Sequence, residues 1–148
     1  MSHTALNIAQ HFTLIANEQG LRLCHLQLQK LIYIAHGTSL ALLGKPLISD
    51  SVVAWQYGPV IPALYQSLKI YLNNPIPPLH GPTPLNPLAQ QMLRIIFDTY
   101  GHKDGVTLSS LTHQQGTPWH KVWSNHLNGG STLIPDSMLC EYYQKPSN

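Results

Sequence analysis

The sequence predicts a mainly α protein, a compact single-domain bundle of about six helices, with a short extended or β insertion before a Gly-Pro turn. Three observations carry that prediction. Apolar residues recur at i, i+3 and i+4 in segments of helical length, each bounded by Gly, Pro or a capping residue. Residues 47–57 depart from that spacing and read as extended. With 148 residues, 43% of them hydrophobic, the chain suits one domain that buries its core without staples.

The elements follow in order. Leu6, Ile8, Ala9, Phe12, Ile15 and Ala16 place a helix over residues 4–18, with Thr4 as N-cap and Gly20 as C-cap. Residues 25–43 form the strongest helix. Leu28, Leu31, Ile32, Ala35, Leu40 and Leu43 are apolar on more than one side, so this helix is expected at the centre. Gly44-Lys45-Pro46 ends it. Residues 47–57 (Leu47, Ile48, Val52, Val53, Trp55, Tyr57) read as extended, a short strand or hairpin arm. Gly58-Pro59 is expected to open the next helix, with Pro59 in its first turn and Ile61, Leu64, Tyr65, Leu68 and Tyr71 on its apolar face.

Between Asn73 and Pro87 stand six prolines, which leave no room for a regular element, so 73–87 reads as a long loop within the single domain 1–148. A helix over 85–101 carries Leu88, Met92, Leu93, Ile95, Ile96 and Tyr100 and closes at Gly101. Val106, Leu108 and Leu111 mark a short segment, with Thr107 or Ser109 as its cap. Thr117-Pro118-Trp119 is an N-cap followed by Pro at the first helical position, and that helix runs to about Leu127, where Asn128-Gly129-Gly130 stops it. A last helix starts near Pro135 and presents Met138, Leu139, Tyr142 and Tyr143.

Composition narrows the function. Charged residues are only 9% of the chain, against the usual quarter, so Gln, Asn, Ser, Thr and His must cover the surface. Apolar area left uncovered by them marks a partner surface. The net charge of +2, with Lys and Arg scattered singly, argues against nucleic acid, and no helix offers a basic recognition face. The nine histidines read as polar surface filler. Cys24 and Cys140 form no CxxC pair and suit free thiols in a reducing compartment. Met1-Ser2-His3-Thr4 lacks a basic leader, and no apolar run approaches the roughly 20 residues that span a bilayer, so the expectation is a cytoplasmic protein with no membrane partner.

Certain blocks recur in a recognisable order. They are a short first helix, Leu28-Gln29-Lys30-Leu31-Ile32-Tyr33, then Ala35-His36-Gly37 and Gly44-Lys45-Pro46-Leu47. The run Ala54-Trp55-Gln56-Tyr57-Gly58-Pro59-Val60-Ile61-Pro62-Ala63-Leu64-Tyr65 follows, then Leu108-Ser109-Ser110-Leu111-Thr112-His113, Pro118-Trp119 and a Tyr-rich terminal helix. In this order they resemble the Panacea (SocA-like) antitoxin family of small bacterial and phage proteins. The resemblance implies a mostly helical antitoxin that neutralises a cognate toxin encoded beside it, by masking it or by delivering it to a cytosolic protease; a chaperone is a further partner of that kind. Gln27 stands where the family has a Lys, and Gln114 and Gln115 are neutral where it tends to acidic residues.

The candidate partner-binding residues are Lys30, Tyr33, Trp55, Tyr57 and Tyr65, together with the loop 73–87. Lys30 and Tyr33 share a helix side and are expected to meet the Trp55–Tyr57 segment; aromatic anchors of this kind favour interfaces. Gln29, Gly58, Pro59, Thr112, His113, Pro118 and Trp119 form a structural polar cluster, in which Thr112 or His113 bonds the backbone of the turn and Trp119 packs inward. No cofactor is implied. His113 and His120 lack the further ligands a metal needs. The rival reading is a prophage-type enzyme or secreted effector on the same scaffold, with Cys24 or His113 active; Cys24-His25 invites it, but no third orienting group is evident. The expectation is a protein that is not an enzyme.

Overall fold

In the computed structural model, which describes residues 2–125 and 132–144, helices pack around one central helix and a small sheet lies to the side. α1 spans Ala5–Glu18, and Thr4 caps it by accepting from the Asn7 amide. Its C-terminus closes in a Schellman pair, Gly20 N–H to Asn17 O and Leu21 N–H to Ala16 O. α2 spans His25–Thr38 and widens into a π-helical turn at Ser39–Leu43. As its all-round apolar pattern predicts, it is almost wholly buried, and it packs against α1 and the helices introduced below as α3, α4, α5 and α7.

After α2 the chain makes an antiparallel hairpin of β1 (Val53–Trp55) and β2 (Gly58–Val60), joined by the two-residue turn Gln56-Tyr57. β3 (Thr132–Leu133) pairs with the other side of β1, giving the order β2-β1-β3. Gly58-Pro59 does not open a helix; it is paired in β2, with Ala54 opposite Pro59. Pro59 is tolerated because β2 is an edge strand that asks no amide donor of it on its outer side. The helix begins at Pro62 instead, which takes the first helical position of α3 (Pro62–Leu68) and is followed by a 3-10 turn at Lys69–Tyr71.

The proline-rich stretch is extended, and α1 holds it by side chains. Asn7 accepts from the Thr83 amide and donates to its carbonyl, His11 bonds the same carbonyl, Gln10 donates to His80 O, and the Leu79 amide donates to Thr13. Ile76 is buried and bonds Leu23 across a single β-bridge. Pro87 belongs to the following helix rather than to the loop, since Asn86 caps α4 (Pro87–Tyr100).

A seventh α-helix, α5 (Gly105–Thr112), stands where only a short segment was expected; its cap is Asp104, which accepts from the Thr107 amide, and not Thr107 or Ser109. α6 spans Pro118–Ser124 with Thr117 as its cap, as the Thr-Pro pair predicts. The expected end of that helix, Leu127 and Asn128-Gly129-Gly130, lies outside the described residues. α7 spans Asp136–Gln144 and packs on α2 and the π-helical turn. Two histidines, His11 and His36, are buried and bonded, so the histidines are not all surface filler.

Candidate functional site

Consecutive residues of α2 grip the start of the next elements. Gln29 accepts from the Ile61 amide at 2.9 Å and donates to the Ile61 carbonyl at 3.1 Å. Lys30, 2% exposed, donates through Nζ to the Pro59 carbonyl at 2.5 Å. Gly58 has φ +126°, a backbone conformation that strains any L side chain, and a Cβ there would stand 3.2 Å from Nζ, so that the ammonium would have to shift as well. The hairpin is fixed from the other side by α5 and α6: Ser109 Oγ donates to Tyr57 O, and Trp119 Nε1 donates to Trp55 O at 2.6 Å. The His113 ring packs edge-on against Trp119, which stacks on Trp123.

This places the residues singled out in the sequence. Gln29, Lys30, Trp55, Gly58, Pro59, His113 and Trp119 come together around the hairpin, and Pro118 opens the helix that brings Trp119 there. Thr112 does not bond the turn; its hydroxyl donates back to Leu108 O and Ser109 O within α5. Tyr33 is not in the group. It is buried on the α7 side, edge-on to Tyr143, and its hydroxyl has no hydrogen-bond partner among the described residues. Tyr57 is at the hairpin tip with 76% of its surface exposed, and Tyr65 packs on Trp55 and His25.

Beside the hairpin, α2, α3 and α5 enclose an open cleft of about 520 Å³. Leu26, Trp55, Val60, Tyr65, Leu72 and Val106 make its walls largely apolar, and Cys24, His25, Gln29, Lys30, Asn73 and Asp104 contribute the polar positions. Leu72 and Val106 are 71% and 76% exposed, and Leu72 holds the unfavourable φ of +54°. Nothing in the sequence points to this cleft, because its lining comes from separate segments whose apolar residues look like ordinary helix faces. Gln27, noted only as a missing Lys, accepts from the Cys24 amide and donates to Lys103 O, which ties the start of α2 to the turn before α5.

Electrostatically the cleft is unusual. Among the described residues the carboxylates that meet a basic side chain are Glu18, paired with Arg94, and Asp136, bonded to His36, so Lys30 has no carboxylate partner there. Burial pushes its ammonium from 10.5 down to about 8. His25 is also lowered, by burial first and then by Lys30. The Asp104 carboxylate, at the exposed rim, is lowered by its bonds to Thr107.

A pH dependence follows. Lys30 is near 8 in the fold and near 10.4 when unfolded, so between these values the unfolded chain binds more protons and stability rises with pH. The expected gain is up to about 1.4 kcal/mol per pH unit from pH ~8 to ~10. Above pH ~10 the sign reverses, because burial raises the Tyr33 and Tyr143 hydroxyls while unfolded phenols ionise. Urea unfolding across this range checks it; Lys30→Met should flatten the rise, and an unchanged slope in that variant would assign the titration elsewhere.

Cys24 and Cys140 are free thiols. His113 is engaged by Ser109 and Trp119. No group of three His, Cys, Asp or Glu side chains that would hold a metal exists among the described residues, and no described helix is long and apolar enough to cross a membrane.

Comparison with known proteins identifies the family. The family model described as antitoxin SocA-like, Panacea domain, matches residues 28–120, from α2 through the hairpin and cleft to α6. Antitoxin SocA of Caulobacter vibrioides is 31% identical over 111 residues, covering 66% of this chain and 58% of the relative. The match thus spans little more than half of that relative's length. No solved structure matches the chain.

Proposed function

Because the chain belongs to the SocA-like antitoxin family with a Panacea domain, we propose that it binds a protein toxin encoded beside its own gene and holds that toxin inactive in a complex. The observation that supports this most is the cleft mouth. Leu26, Tyr65, Leu72 and Val106 stand exposed around it in a chain with few charges to spare for its surface, and the exposed Tyr57 stands at the tip of a hairpin braced from both sides. A contiguous apolar rim with a pre-positioned aromatic is what a protein interface needs. Gln29 and Lys30 hold the hairpin and the start of α3 in place beneath that surface.

Co-expression with the product of the neighbouring gene, followed by pull-down and a growth assay, tests the reading. Restored growth with a stable complex is the expected result. Restored growth with the toxin depleted would replace masking by delivery to a protease. Neither growth nor complex would overturn the reading.

Tyr57→Ala is expected to weaken the complex by about 10- to 100-fold. It should alter unfolding free energy by no more than about 0.5 kcal/mol, the usual range for surface positions. The Ser109 bond goes to the Tyr57 carbonyl, which the substitution leaves in place. Calorimetric titration and urea unfolding of the same variant separate the two; equal losses in both would make Tyr57 a structural residue.

A further inference from the structure

We propose that the cleft between α2, α3 and α5 receives a segment of the toxin that carries apolar side chains and one acidic side chain, the acid pairing with Lys30. This rests on the toxin-binding reading and names the chemistry of the partner at that site. A volume of about 520 Å³ is of the size that takes a bound group, and the walls from Leu26 to Val106 call for an apolar one. Lys30 is the exception in that wall. Its ammonium has three donors, one of which goes to Pro59 O, and no described carboxylate answers its charge. A cation held in a poorly hydrated wall without a counter-ion is stabilised by whatever acid arrives.

The other groups at the cleft orient that acid. The Gln29 amide nitrogen lies 3.4 Å from His25 Nε2, so that ring nitrogen accepts and the imidazole is neutral there. Asp104 carries a negative charge on the α5 rim and repels an acid from that side. The carboxylate is therefore directed to the α2 wall, and the apolar side chains to the mouth formed by Leu72 and Val106.

Lys30 itself is a poor test because its replacement changes the fold's stability. Two nearly isosteric changes at the cleft test the charge instead. Asp104→Asn keeps an N-cap of equal quality and removes the negative rim charge. Asn73→Asp adds one at an exposed position. For the complex with the neighbouring gene's product, Asp104→Asn should tighten binding roughly threefold and Asn73→Asp should weaken it roughly threefold at low salt. Both effects should shrink as salt rises. Reversed signs would show a basic partner segment and overturn the proposal, as would two changes of the same sign. Unchanged affinity in both, with wild-type complex intact, would remove the cleft from the interface while leaving the toxin reading standing. Failure of the wild type to bind would remove both.

Discussion

His36→Ala is expected to lower the unfolding free energy by about 4 kcal/mol. His36 lies in the middle of the helix the sequence marks as central, and only 1% of its side chain is exposed. Its Nδ1 accepts from the Leu47 and Ile48 amides, at 3.3 Å each, and its Nε2 donates to Asp136 Oδ1 at 2.9 Å. One ring thus joins α2, the segment leading to the hairpin, and the first turn of α7. Truncation leaves two buried amides without an acceptor, at about 1–3 kcal/mol each, as well as the space of the ring. Asp136→Ala offers a contrast. That carboxylate is 54% exposed, and its loss should cost no more than about 1 kcal/mol. Urea unfolding of the two variants measures both; comparable losses would mean that the bond to Asp136, not the backbone amides, is what His36 supplies.

The next largest effect is expected one residue on. Gly→Ala inside a helix ordinarily stabilises by about 0.5–1 kcal/mol. Gly37→Ala should instead destabilise by about 2–3 kcal/mol, because a Cβ at that position would overlap the Cδ2 and Cε2 atoms of Tyr143. The absent side chain lets α7 lie directly on α2, and it seats Tyr143 edge-on against Tyr33. A double-mutant cycle with Tyr143→Ala is the check. The alanine at 37 should cost little once the ring is gone, so the two changes should couple strongly. A stabilised Gly37→Ala single variant would show that α7 does not pack there.

His36 also shows how the blocks Ala35-His36-Gly37 and Gly44-Lys45-Pro46-Leu47 are joined in the fold. The first carries the imidazole and the second carries an amide it receives. The blocks were legible as a pattern; the bond between them was not, since nothing local pairs a histidine with an amide eleven residues away. Gln29 is a parallel case, holding both backbone groups of Ile61.

What the sequence determined by itself is what depends on near neighbours. The mainly helical class, the central place of α2 and the caps at Thr4 and Thr117 all follow from spacing of 3–4 residues or from a side chain bonding an amide within one turn. The same locality explains the mistake at Gly58-Pro59. A proline before an apolar run reads as a helix start, and two prolines, Pro59 and Pro62, compete for that role within four residues. Strand pairing with Ala54 and the bond from Lys30 decide in favour of Pro62. Only the tertiary structure decided that Lys30 is buried with no carboxylate partner among the described residues, that Tyr33 turns to α7 while Tyr57 meets solvent, and that Leu26, Tyr65, Leu72 and Val106 surround one cleft. Burial, counter-ions and surface apolar area belong to packed elements rather than to residues, and no local spacing encodes which elements will meet.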